Sequence, residues 1–165
     1  MPAEMVFLNI VQALETFHSR FFYNDKKAEY VKSVKERFGN SEMFNKLLLS
    51  NTQMDDNCNY IILVSRLNDL LIRSGCFIEY YIDNDNYAQI IADTRHYYTH
   101  YGKSKEAKAL KDDDLLEAIY ILRLLLEYHV CYLLGIERRN DIVDELARHK
   151  QWKLLNEMHS NNFKV

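Results

Sequence analysis

DDDLLEAIYILRLLLEYHVCYLLG, residues 112–135, is the stretch that decides the fold. Its residues Leu115, Ile119, Leu122, Leu126, Val130 and Leu133 recur at four- and three-residue steps, the spacing that lines one face of an α-helix. Leu116, Ile121, Leu124, Leu125 and Leu134 widen that face beyond a single seam. Asp112, Asp113 and Asp114 open the helix, where negative charge complements the positive end of its dipole, and Gly135 stops it. Glu117, Arg123, Glu127 and His129 interrupt the apolar run. Charges at the centre of a bilayer are costly, so this is a helix of a soluble protein and not a membrane span. It is apolar over more of its circumference than one core requires. Either it sits deep and is covered on all sides, or its spare face forms a homodimer interface.

Helical spacing continues on both sides. Residues 4–22 place Val6, Ile10, Ala13, Leu14, Phe17 and Phe21 on one face, and residues 26–38 form a polar helix with a thin stripe of Tyr30, Val34 and Phe38. Gly39-Asn40-Ser41 combines a glycine stop with a new N-cap, which predicts a short helix over 41–49 and a polar connection over 51–56. Residues 58–74 carry Ile61, Ile62, Val64, Leu67, Leu70 and Leu71 and end at Gly75. Residues 77–82 fit a strand or a helical turn, the turn being favoured, and 83–86 form a turn and cap. A helix over 87–101 follows, closed by Gly102, then a hydrophilic linker over 103–111. The last helix, 141–159, holds Ile142, Leu146, Trp152 and Leu155. The reading is an all-α helical bundle with one core and short extra helices, a single domain over 1–165. Helices 58–74 and 115–134 are expected at its centre.

Composition narrows the function classes. At 165 residues the chain is long enough to bury roughly two-thirds of its unfolded surface. One Pro and four Gly remove the punctuation that many-stranded β folds need. Cys58, Cys76 and Cys131 are odd in number and far apart, with neither zinc spacing nor a disulfide framework, so a reducing cytoplasm with three buried thiols is expected. The polar residues Glu4, Glu15, His18 and Arg20 exclude a signal peptide at the N-terminus. A formal charge of -3 gives no global attraction for nucleic acid, so an RNA site must be a local basic patch.

The candidate site is Ala92-Asp93-Thr94-Arg95-His96-Tyr97-Tyr98-Thr99-His100-Tyr101-Gly102. The Arg95 guanidinium suits a phosphate through two parallel hydrogen bonds. His100 is a side chain that gives and takes a proton near neutral pH. Five residues rotate an ideal helix by roughly 500°, which sets the two side chains about 140° apart on one chain. Sharing a face requires the last turn to unwind or a second chain to contribute. Other residues could assist. Lys103, Lys105, Lys108 and Lys111 could guide RNA or simply be a solvated linker, while Tyr97, Tyr98 and Tyr101 offer stacking surfaces. Glu15 and His18, three apart, could line the cleft or make an ordinary interhelical bond.

The segment 93–136 resembles the HEPN family, whose hallmark is an Arg and a His with four to six residues between them at the end of one helix, followed by a long apolar helix. Arg95 and His100 stand with four residues between them. Leu14-Glu15-Thr16-Phe17-His18-Ser19-Arg20 also resembles the first helix of the C-terminal HEPN domain in ApeA-type anti-phage proteins. The resemblance implies a metal-independent endoribonuclease of bacterial defence or toxin type, acting on RNA as a homodimer and needing no cofactor. It implies His100 as general acid or base and Arg95 as the phosphate holder, leaving a 2′,3′-cyclic phosphate. His96, Tyr101 and Lys103 would contact substrate. One subgroup places a Tyr two residues after the His; here Gly102 holds that position. ApeA-type proteins are larger, so this chain reads as their excised C-terminal domain or a stand-alone relative, under a regulatory domain or an antitoxin.

Other readings of the same residues stay open. Arg95 could be an ion-paired helix residue with Asp93 or Glu79, and His100 a helix cap. Asp93, His96 and His100 have helical metal-ligand spacing. His129, His149 and His159 have no partner visible in the sequence and read as incidental. The second hypothesis is a non-catalytic dimerisation or RNA-binding module.

Overall fold

The computed structural model describes residues 1–23, 27–38, 61–75, 87–101 and 103–162. The expectations for 39–60, 76–86 and Gly102 lie outside them. Among the described residues there are seven α-helices, one π-helical turn and no strand. Helix α1 is Ala3–His18, running into the π-helical turn Ser19–Tyr23; α2 is Lys27–Phe38 and α3 is Leu63–Ser74. Then come α4, Tyr87–His100; the short α5, Lys103–Glu106; α6, Asp112–Leu133; and α7, Arg139–Asn162. The all-α expectation holds. The linker over 103–111 does not: its first four residues form α5, a last turn stacked on the end of α4.

Four helices enclose the core. α1 packs on α6, α3 and α4, and α3 packs on α4 and α6, so α1 and α3 lie across the short diagonal of the bundle. α1 therefore shares the centre that the sequence assigns to α3 and α6 alone. The reason lies in its composition: Val6-Phe7-Leu8 and Ile10-Val11 leave the apolar face ambiguous by one residue. The buried set is Phe7, Val11, Leu14 and Phe17, whereas Val6, Ile10 and Ala13 sit on the flanks and Phe21 is exposed. From α6, Leu115, Ala118, Ile121, Leu122, Leu124 and Leu125 enter the same cluster. Each fully buried Leu contributes about 1.5–3 kcal/mol. Ile142 and Leu146 anchor α7, reinforced by Arg138, which pairs with Glu127 at 3.1 Å and Asp141 at 3.2 Å.

The circumference of α6 is not covered on all sides. Leu116, Val130, Leu133 and Leu134 are exposed, and Ile119 and Leu126 half-buried, so an apolar stripe runs along the helix, broken at its middle by exposed Arg123. Cys131 is half-buried, not buried as expected, and is a free thiol. No helix of the described residues is long and apolar enough to cross a membrane.

Candidate functional site

Helix α4 is regular to its last residue. Thr94 and Thr99 donate back to the carbonyls of Ile90 and Arg95 at 2.8 and 2.7 Å, the i−4 bond that lets threonine sit inside a helix. The Tyr101 amide closes the end on the Tyr97 carbonyl at 2.6 Å. The turn that would bring Arg95 and His100 onto one face does not unwind, since the helix runs through His100. The left-handed residue that ends it is Tyr101, with φ 48°, one place before the glycine the sequence suggests for that role.

Arg95 is half-buried and its Nη2 lies 3.7 Å from Glu15 Oε2 of α1. The helices run antiparallel here, with Glu15 at the level of Arg95 and Phe7 edge-on to Tyr98 at 6.3 Å. Arg95 does not pair with Asp93. Asp93 instead receives hydrogen bonds from Lys105 Nζ at 2.7 Å and Gln89 Nε2 at 3.0 Å. The Asp93-His96-His100 metal arrangement is thereby not assembled, because the carboxylate turns inward to α5. His96 and His100 are exposed, their rings 4.9 Å apart on one face. The site thus presents an anchored guanidinium, two adjacent imidazoles and an exposed tyrosine ring at one helix end.

The other expected residues divide. Glu15 joins Arg95. Tyr101 is 74% exposed and directly follows His100. Lys103 opens α5, and its side chain falls outside the described part of the structure. Lys105 is engaged with Asp93, while Lys111 reaches over the Tyr97 ring at 5.6 Å and towards Glu106 at 3.6 Å. These lysines act as stitching rather than as free linker. Two further bonds complete it: the Leu110 amide donates to Thr94 Oγ1 at 3.0 Å, and the Tyr98 hydroxyl donates to the Leu110 carbonyl at 2.9 Å.

His18 does not reach the motif. It is fully buried beside α3, its Nε2 3.1 Å from Asp69 Oδ2 and its Nδ1 3.4 Å from Arg66 Nη1. A guanidinium only donates, so Nδ1 accepts and Nε2–H donates to Asp69. Burial accordingly pushes the imidazole below its ordinary range despite the carboxylate beside it. Arg73 Nε also donates to Asp69, at 2.9 Å, and its guanidinium lies 4.3 Å from the Phe22 ring centroid. Arg66 Nε caps the Ile61 carbonyl at 2.9 Å. His129 is not incidental: buried in α6, it donates from Nε2 to the Leu70 carbonyl at 2.9 Å, and burial lowers its pKa to about 4. The readable signal for this polar cluster was Arg66 and Asp69 standing on the apolar side of α3. Charges there demand buried partners.

Among the described residues, no group of three His, Cys, Asp or Glu side chains is placed to hold a metal ion. No curated protein and no solved structure matches this chain. The family model described as Apea-like HEPN matches residues 8–140. That span runs from the middle of α1 to the start of α7, taking in Glu15, Arg95, His100 and the whole of α6. The chain belongs to the Apea-like HEPN family.

Proposed function

We propose that this protein is a metal-independent endoribonuclease of bacterial defence type, a single domain whose site is completed by two copies of the chain. The observation that carries the reading is the end of α4: Arg95, anchored by Glu15, precedes an exposed His96–His100 pair. His100 removes the proton from a ribose 2′-hydroxyl, whose oxygen attacks the adjacent phosphorus. The P–O bond to the next nucleotide breaks, and an imidazolium returns a proton to the leaving 5′-oxygen. Arg95 holds the non-bridging oxygens and offsets the charge that develops on them. The products are a 2′,3′-cyclic phosphate and a 5′-hydroxyl.

Dimerisation answers the geometry. On a regular helix Arg95 and His100 diverge by about 140°, so one phosphate meets both most readily across two chains. The uncovered C-terminal part of the α6 stripe, Leu126, Val130 and Leu133, offers an isologous surface for a second copy that leaves the start of the helix open. Control by a regulatory domain or an antitoxin fits an enzyme with so exposed a site.

The test is RNA cleavage at neutral pH in EDTA, with His100→Ala beside the wild type and product ends analysed. Cyclic-phosphate ends from the wild type alone support the reading. A folded dimer that binds RNA and cuts none points to the second reading, a non-catalytic binding or assembly module.

A further inference from the structure

Tyr101 and Asp112 are the non-glycine residues with left-handed backbone among the described residues, each at φ 48°. That conformation is disfavoured for a residue with a side chain, and such positions gather at binding sites. Both line one groove of about 660 Å³ between the start of α1, the end of α4 and the start of α6. This volume falls in the range of small-ligand sites.

The groove has three distinct surfaces. Its floor is apolar, made by Leu8, Leu115 and Leu116. One wall is aromatic: Tyr97 stands edge-on to Tyr98 at 5.1 Å and to Tyr101 at 6.1 Å. The Tyr98 hydroxyl is committed to Leu110, whereas the Tyr101 ring is 74% exposed. The lining also holds the carboxylates of Glu4 and Asp112 and the Lys111 ammonium, which lies 5.6 Å over the Tyr97 ring and 3.6 Å from Glu106. Two carboxylates against one ammonium leave the lining net negative, which disfavours a phosphate within it. They accept hydrogen bonds from amino groups, so a flat neutral ring bearing such donors fits within.

We propose that this groove is a nucleobase subsite in which an unpaired base beside the scissile phosphate stacks on Tyr101, bases with an amino group being favoured. It rests on the RNA reading above and adds to it the residue that selects unpaired substrate. A base inside a duplex has both faces stacked and its edge paired, and cannot enter.

The experiment uses a single strand carrying 2′-O-methyl groups throughout and one 2-aminopurine, whose fluorescence falls on stacking. Methylation blocks the attacking hydroxyl, so binding is read without cleavage. Wild type and Tyr101→Phe should quench the probe and bind it alike. Tyr101→Ala should lose the quench and about 10-fold in affinity, the worth of one base–aromatic stack. The duplex form should bind weakly without quenching. Equal quench and affinity for Tyr101→Ala, or no binding by wild type, overturns the proposal. So does a Tyr101→Ala chain whose mass in solution changes while its quench does not, because a second copy then covers the groove. A wild type that quenches through Tyr101 but cuts no RNA keeps the subsite and removes the nuclease. A wild type that cuts, with KM and quench unchanged in Tyr101→Ala, does the reverse.

Discussion

Tyr101 carries a backbone cost that glycine would not. A left-handed residue with a side chain is disfavoured by about 1–2 kcal/mol, partly offset by the larger entropy glycine loses on folding. Tyr101→Gly should therefore raise stability by about 0.5–1 kcal/mol, measured by denaturant unfolding, while weakening the hold on single-stranded RNA. Glu15 makes the opposite trade. Its ion pair with Arg95 is 3.7 Å long and about a third exposed, worth under about 1 kcal/mol. Glu15→Gln should leave the melting temperature nearly unchanged yet slow RNA cleavage, because the guanidinium loses its anchor. The pairing of Arg95 with Glu15 could not be seen in the sequence, since eighty residues separate the partners and Asp93 was the nearer acid. Asp93, two residues before Arg95, points to the other side of the helix, where Lys105 meets it.

At the scale of the element, α3 and α6 share a buried polar seam. His129 donates to the Leu70 carbonyl with its pKa lowered to about 4 from 6.5. The fold accommodates only the neutral ring, so below pH 6.5 the unfolded chain takes up a proton that the folded chain refuses until about pH 4. The contribution is complete above 6.5 and is lost as pH falls through that window, by about 3 kcal/mol at the acid end. His18, lowered in the same direction by burial, adds to the slope. Thermal unfolding followed from pH 7.5 down to about pH 4.5 should show a falling midpoint, and His129→Leu should flatten part of that fall. Helix positions were legible because hydrophobic spacing is a local property. The seam was not, because it joins His18 and His129 to α3 across long stretches of chain that no periodicity connects.

For the whole molecule, the bundle followed from α6 and its neighbours, but the identity of its hub did not. Helix α1 is apolar over about half its circumference, with Glu4, Asn9, Gln12, Glu15 and Thr16 on the other side, so its sequence leaves open which edge of that broad face is buried, and packing against α3, α4 and α6 selects Phe7, Val11 and Leu14. The excess apolar face of α6 was legible, and the monomer leaves it open at Val130 and Leu133. If two copies meet there, Leu133→Glu should halve the mass seen by light scattering and abolish RNA cleavage together. Because Leu133 is 45% exposed, the helical signal of the monomer should persist. A variant that stays dimeric places the interface elsewhere.

The bonds that α4 makes to Leu110 have a consequence for how the molecule breathes. Leu110 lies in the irregular connection between α5 and α6, yet its amide and its carbonyl are both held by side chains of the motif helix, Thr94 and Tyr98. Its amide deuteron should therefore enter slowly, on the timescale of α4 itself, amid fast-exchanging neighbours. Exchange at that one position becomes a clock for the integrity of the motif, readable in any variant before a substrate is found.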